Sequence, residues 1–187
     1  MKPTFRALQH VAVLLVALSA SLGFAEGEGF GLGVAPDQEQ IDRLAITVMP
    51  DGRGLPAGEG SVAEGEALYA DACASCHGEA GQGGPYGSLV GEPRYSPEEF
   101  AANRAHKKTI GNYWPYATSV FDYIRRAMPF DRPGSLTNDE VYAATAYLLH
   151  LEGLLDVSEV LDRERILEVT MPAQSFFVPA DQNEGVR

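Results

Sequence analysis

Cys73-Ala74-Ser75-Cys76-His77 is the stretch whose chemistry is easiest to read. Two thiols three positions apart lie on one side of a single helical turn. Both can form thioethers to the vinyl groups of one porphyrin, and the imidazole of the next residue then lies under the metal. The pattern predicts covalent attachment of one c-type haem through Cys73 and Cys76, with His77 as the proximal iron ligand. Competing chemistries ask for more than this chain offers. A redox dithiol needs a thioredoxin-like βαβ pattern, which is missing. A zinc site needs a second Cys pair or an H-x-x-x-H, and neither follows. Cys73 and Cys76 are the only 2 cysteines, so no disulfide network competes for them.

A low-spin electron-transfer haem wants a sixth ligand. After the leader, the imidazole candidates are His106 and His150, and the thioether candidates are Met49, Met128 and Met171. Met128 fits best. It ends an apolar helical stretch, and Pro129 removes the next backbone donor and bends the chain. Such a stop presents a side chain to a cofactor instead of continuing the helix. A soft thioether favours reduced iron and raises the potential. Met171 also precedes a proline, but it lies beyond the last strong helix, and Met49 precedes the haem region. His106, among Arg104, Lys107 and Lys108, reads as a solvent-facing polar residue. His150 sits near a helix end, where a cation is favoured.

The elements that must hold these residues are helical. Asp37 caps a short helix over Gln38 to Leu44. Ala45 to Met49 looks extended, and Pro50-Asp51-Gly52 marks a turn. Ser61-x-x-Glu64 is a capping box opening a helix over Val62 to Ala72, which runs into the haem motif. Gly65 inside it suggests the close approach of another helix. Gly78 to Pro85 is a loop rich in positions suited to positive φ. Ser96-Pro97-Glu98-Glu99 starts a short helix to about Ala105. Ala117 to Ala127 is helical, with Val120, Phe121 and Ile124 on one face. Thr137-x-x-Glu140 opens the longest helix, Asn138 to Glu152, with Val141, Ala144, Thr145 and Leu148 as its buried stripe. Asp162 to Glu168 offers a further short helix, and from Met171 the chain reads as an extended tail. Strand content is low, so the expected class is all-α. The expected organisation is a leader at 1–25, a flexible or partner-binding arm at 26–60, a haem domain at 61–153 and a C-terminal tail at 154–187.

The first residues set the address. Lys2 and Arg6 form a positive n-region, Val11 to Leu18 a short apolar core, and Gly23-Phe24-Ala25 a small-residue cleavage site. This reads as a Sec-type signal peptide, cut after Ala25 or, alternatively, Ala20; the other reading is an uncleaved membrane anchor, for which the apolar run is short. The expected product is periplasmic, with no membrane span after cleavage. The formal charge of −12 argues against nucleic acid and anionic lipid as partners. The segment from Arg94 to Arg132 departs from it, with seven basic residues against four acidic ones. It is a candidate docking face.

These residues also carry a family resemblance. From Ser61 to Gly153 the order of helix, C-x-x-C-H, Gly-rich loop, short helix, Met-Pro and capped helix resembles the class I cytochromes c. The run from Tyr113 through Trp114-Pro115-Tyr116 and Arg125-Arg126-Ala127-Met128-Pro129 to Phe130 resembles the cytochrome subunits of bacterial sulfite dehydrogenases. It is equally similar to the cytochrome domain of the Sox-system sulfur dehydrogenase. Leu136 to Tyr142, Ala146 to Leu148, Pro50 to Pro56 and Val169 to Pro172 extend the likeness. The resemblance implies a class I fold, about four to five helices around one covalent haem with irregular arms. It implies Cys73 and Cys76 as attachment points, His77 and Met128 as ligands, and Arg125 and Arg126 near a haem edge or a partner. A single haem motif and a shorter chain favour the sulfite dehydrogenase type. The chain is then an electron-transfer subunit and not an enzyme by itself. Its partners would be a molybdopterin sulfite dehydrogenase catalytic subunit and a downstream cytochrome or oxidase. The alternatives are a free respiratory shuttle, and a haem enzyme or sensor with an open sixth site.

Overall fold

A computed structural model describes residues 32–91, 94–103 and 105–177. The expected signal peptide lies outside these residues, as do Arg104 and everything after Phe177. The chain divides into two units, Met1–Arg43 and Leu44–Arg187. In the first, helix α1 (Gln38–Leu44) begins where expected. Asp37 Oδ1 accepts from Gln40 N at 2.8 Å, satisfying a donor the helix itself cannot.

The second unit is built on three helices: α2 (Val62–Ala72), α6 (Ala117–Ala127) and α7 (Asn138–Leu151). Shorter helices lie between and after them: α3 (Ala74–His77), α4 (Pro97–Ala102), α5 (Ile110–Tyr113) and α8 (Arg165–Glu168). The capping boxes at Ser61 and Thr137 are both formed. Each hydroxyl accepts from the backbone N–H three residues on, and each glutamate returns to the cap's own N–H. The start of α4 has a third box, between Ser96 and Glu99. That helix stops at Ala102, three residues short of the expected end.

Helix α7 is buried on every side. Every residue from Val141 to Leu149 is buried, not only the expected stripe. Such a helix needs cover all round. Helices α2 and α6 provide two sides of it, and a two-stranded antiparallel sheet lies on a third. Its strands are β1 (Glu59–Ser61) and β2 (Val160–Asp162), with Gly60 opposite Leu161. Three-residue strands carry too little periodicity to be seen in the sequence. Two glycines bring this cover close. A Cβ on Gly60 would lie 2.6 Å from Ala143 Cα, and one on Gly65 would lie 2.7 Å from Ala143 C. The helix approach expected at Gly65 is therefore the contact of α2 with α7.

The segments flanking the haem region differ from expectation. Residues 154–177 are not a loose extension: Leu155, Leu161, Ile166 and Met171 are buried in the same cluster as the helices, and Ala173 is buried as well. The stretch before β1 is packed as well, through Val48 and Leu55. Burial of these cluster residues at intervals of five to seven follows neither the helical nor the strand period, so pattern reading passes over it.

Candidate haem site

Helix α2 delivers the motif. It ends at Cys73, whose φ of −122° breaks the helix before α3 resumes at Ala74. The N–H groups of Cys76 and His77 both donate to the Cys73 carbonyl, at 3.1 and 3.0 Å. The two cysteines and the histidine therefore share one turn, as the spacing predicts. Gly78 then leaves the helix with φ 83°. Its carbonyl is held by the Tyr69 hydroxyl at 2.9 Å, which ties the exit of the motif back to α2.

The loop that follows folds back over α3. Gly83 N donates to His77 O at 2.8 Å and Tyr86 N to Cys76 O at 3.2 Å. The loop also reaches the imidazole: His77 Nδ1 lies 3.5 Å from Gly87 O. With the Nδ1 proton facing that carbonyl, the Nε2 lone pair is left for a metal. The Tyr86 ring lies 6.4 Å from the imidazole, centroid to centroid.

The surroundings of Cys73 bear on the possible chemistries. Burial pushes the Cys73 thiol up to about 11, and the nearby Cys76 and Asp71 add to the rise. A redox dithiol or a zinc ligand needs the opposite shift, toward thiolate. A neutral sulfur in apolar surroundings suits a thioether. Among the described residues no group of three or more His, Cys, Asp or Glu could hold a metal ion.

Met128 caps the C-terminus of α6 in extended conformation, φ −121° and ψ 147°, with its N–H on Ile124 O. It is half-buried against the core cluster, and so are Cys73, Leu68, Leu89, Trp114 and Leu136. Cys73 and Met128, one residue predicted for attachment and one for ligation, thus border the same cluster. These half-covered apolar side chains leave surface that a hydrophobic macrocycle would cover. Two thiols on one turn, an imidazole beside them, a thioether and an apolar surround fit haem c. The other ligand candidates are committed elsewhere. Met171 is 1% exposed within the core, and Met49 lies on the surface. His150 Nδ1 is 2.9 Å from Leu155 O.

Three expectations need correction. His106 is not a free surface side chain: it stacks on Tyr95 at 3.7 Å and borders Phe100. Arg94 does not belong to a basic surface, because it pairs with the buried Glu152. Arg125 reaches back to Ile46 O at 3.3 Å and is committed within the subunit, while Arg126 pairs with Asp122 and stays exposed. The sequence reading missed Tyr69 and Glu152. Glu152 carries a signal of its own: an acid at a helix C-terminus opposes the helix dipole, and such a misfit points to a specific partner.

Comparison with known proteins follows the same lines. The pattern of the family described as Cytochrome c matches residues 62–152. A chain in the crystal structure of the sulfane dehydrogenase SoxCD from Paracoccus pantotrophus is 40% identical, with a TM-score of 0.71. That match covers 83% of this chain and 74% of the other. A thiosulfate dehydrogenase of Stutzerimonas stutzeri (strain A1501) is 27% identical over 115 residues, 61% of this chain. The match takes in only 34% of that relative, so this chain spans about a third of its length.

Proposed function

This chain belongs to the cytochrome c family and has the class I fold, and from that premise we propose that it is the haem subunit of a periplasmic sulfur-compound dehydrogenase. The observation that carries the proposal is the reach of the SoxCD likeness. It covers 83% of the chain, whereas the family pattern stops at residues 62–152. The likeness thus extends beyond the haem core into flanking sequence, which supports a subunit over a free shuttle, since a shuttle would not require it.

When bound, the haem supplies a one-electron couple. Cys73 and Cys76 would hold one such group covalently, and His77 and Met128 would ligate its iron. His77 is oriented by Gly87 O, and Met128 by the end of α6. Leu68, Leu89, Trp114 and Leu136 keep water from the group. The electron donor in this reading is a molybdopterin sulfite dehydrogenase catalytic subunit. The acceptor is a downstream cytochrome or oxidase, and transfer takes place in the periplasm after signal cleavage.

The ligand set is tested on purified ferric protein. A far-red thioether-to-iron charge-transfer band is expected, and it should vanish in Met128→Ala while the haem stays attached. Ready CO binding to the unperturbed reduced protein would point instead to an open sixth site. The partner is tested by co-purification with a molybdenum protein, followed by addition of sulfite, thiosulfate or a sulfane-sulfur donor. Reduction of the haem by sulfite supports the assignment. A haem that stays oxidised with sulfite but is reduced by another donor would move the substrate to that donor.

A further inference from the structure

Met128 owes its position to the last turn of α6, where its N–H donates to Ile124 O at 3.0 Å. That turn is held from outside by the segment before the haem region. Asp122 Oδ1 accepts from Val48 N at 2.8 Å, across 74 residues of sequence. Arg125, one turn before Met128, donates to Ile46 O at 3.3 Å. Asp122 and Arg125 are three apart and share one helix face. They supply an acceptor and a donor to a backbone donor and acceptor two residues apart. Arg126 fixes Asp122 further, with contacts of 2.9 Å to both carboxylate oxygens.

The segment itself is anchored at both ends. Val48 and Leu55 are buried in the core. Tyr142 donates to Pro56 O at 2.9 Å, and Asn138 to Ala57 O at 3.2 Å, both from α7. Residues 46–57 therefore run from the end of α6 to the start of α7, with hydrogen bonds at each. A helix end that frays would let its terminal side chain swing away. This one is tied to a second, buried piece of chain.

We propose that residues 46–57 are a strap holding the last turn of α6, and that Asp122 and Arg125 are positioning residues for the Met128 thioether. The inference rests on Met128 as the axial ligand. It assigns the segment before the haem domain a role inside the subunit: keeping the sixth ligand seated. The contacts of Asp122 and Arg125 are charge-assisted and half-buried, the class of hydrogen bond that costs most to lose.

The test uses ferric holoprotein and imidazole, a small ligand that competes with the thioether for the sixth position. Asp122→Ala and Arg125→Gln should each bind imidazole about tenfold more tightly, as expected when one such contact is lost. Arg125→Lys should recover most of the original resistance. Ser96→Ala serves as the remote control. It removes the cap that accepts from Glu99 N at 3.2 Å at the start of α4, and should lower the melting temperature without changing imidazole affinity. Unchanged affinity in Asp122→Ala and Arg125→Gln overturns the strap. So does an equal rise in the control, which would make the effect one of general stability. Should Asp122→Ala give no holoprotein, Arg125→Gln decides alone. Met128→Ala separates the two readings. If it keeps the far-red band, the ligand assignment falls and the strap's role falls with it. If it loses the band while Arg125→Gln binds imidazole normally, the strap alone is wrong.

Discussion

Gly65→Ala sets local preference directly against packing. In an exposed helix the change stabilises by about 1 kcal/mol, because alanine is the better helix former. Here a Cβ would overlap the Ala143 carbonyl oxygen, and would lie 2.7 Å from Ala143 C and 2.8 Å from Tyr147 Cβ. These atoms belong to the backbone and the first side-chain carbon of α7. No rotamer change can clear them, so the two helices must separate. Overpacking typically costs about 1–3 kcal/mol, and contacts of this kind belong at the upper end. The expected balance is a loss of about 2 kcal/mol, or about 7 °C in melting temperature for a unit of this size. Thermal unfolding of the holoprotein by far-ultraviolet circular dichroism reads it. Gly87→Ala is the matched control, since a Cβ there meets no atom within 4 Å. It should stay within about 0.5 kcal/mol of the parent. A Gly65→Ala variant as stable as the parent, or more so, would refute the close contact of α2 on α7.

Two further outcomes follow from buried polar groups. Burial holds the Glu152 carboxyl above its ordinary range, against the pull of Arg94. A raised carboxyl gives stability that is present at low pH and lost as pH rises through the folded value. Arg94→Ala should therefore cost about 3 kcal/mol near neutral pH, where Glu152 would be a buried charge without its partner, and less toward about pH 5. Equal losses in urea unfolding at the two pH values would reject this. Tyr69→Phe removes the hydroxyl on Gly78 O and should cost about 1 kcal/mol below about pH 10. Burial raises the Tyr69 phenol to about 12. Unfolded tyrosine ionises near 10, so the parent should lose stability between these values, and the variant should lose less. Denaturant unfolding on either side of about pH 10 measures the difference.

The haem motif and the main helices were legible because each uses a local code. Cys73 to His77 is a single turn, and the boxes at Ser61, Ser96 and Thr137 each close within three residues. Gly65 could be read because its cost to a helix demands a reason. What escaped depends on long separations. Val48 meets Asp122 across 74 residues, and Tyr142 meets Pro56 across 86. Strands β1 and β2 pair three residues with three, from opposite sides of the haem region. No periodicity marks such contacts. The all-round burial of α7 depends on them, so its full extent could not be read from its own apolar pattern. His106 was misread for a related reason. Its neighbours Lys107 and Lys108 are exposed, while its ring is claimed by Tyr95, eleven positions away.

The flanking segments also change the basis of the functional argument. Their length suggests arms reaching for a partner, since a haem of this type needs only the residues from Ser61 to Gly153 around it. The structure occupies much of both segments with their own subunit: Val48, Leu55, Leu161, Ile166 and Met171 all join the haem domain's core. Length alone then no longer favours a complex over a shuttle. Kind does. A shuttle gains nothing from closing β1 on β2 over α7 or from fastening the end of α6 to residues 46–48, whereas a subunit whose axial ligand must stay seated while a partner presses on its surface gains from both. The likeness to a dehydrogenase chain, at 40% identity, extends over 83% of this one. If the strap variants lose Met128 to imidazole but still accept electrons from the catalytic partner at the parent's rate, the segments serve ligation. If they keep Met128 and fail to bind the partner, docking is their role.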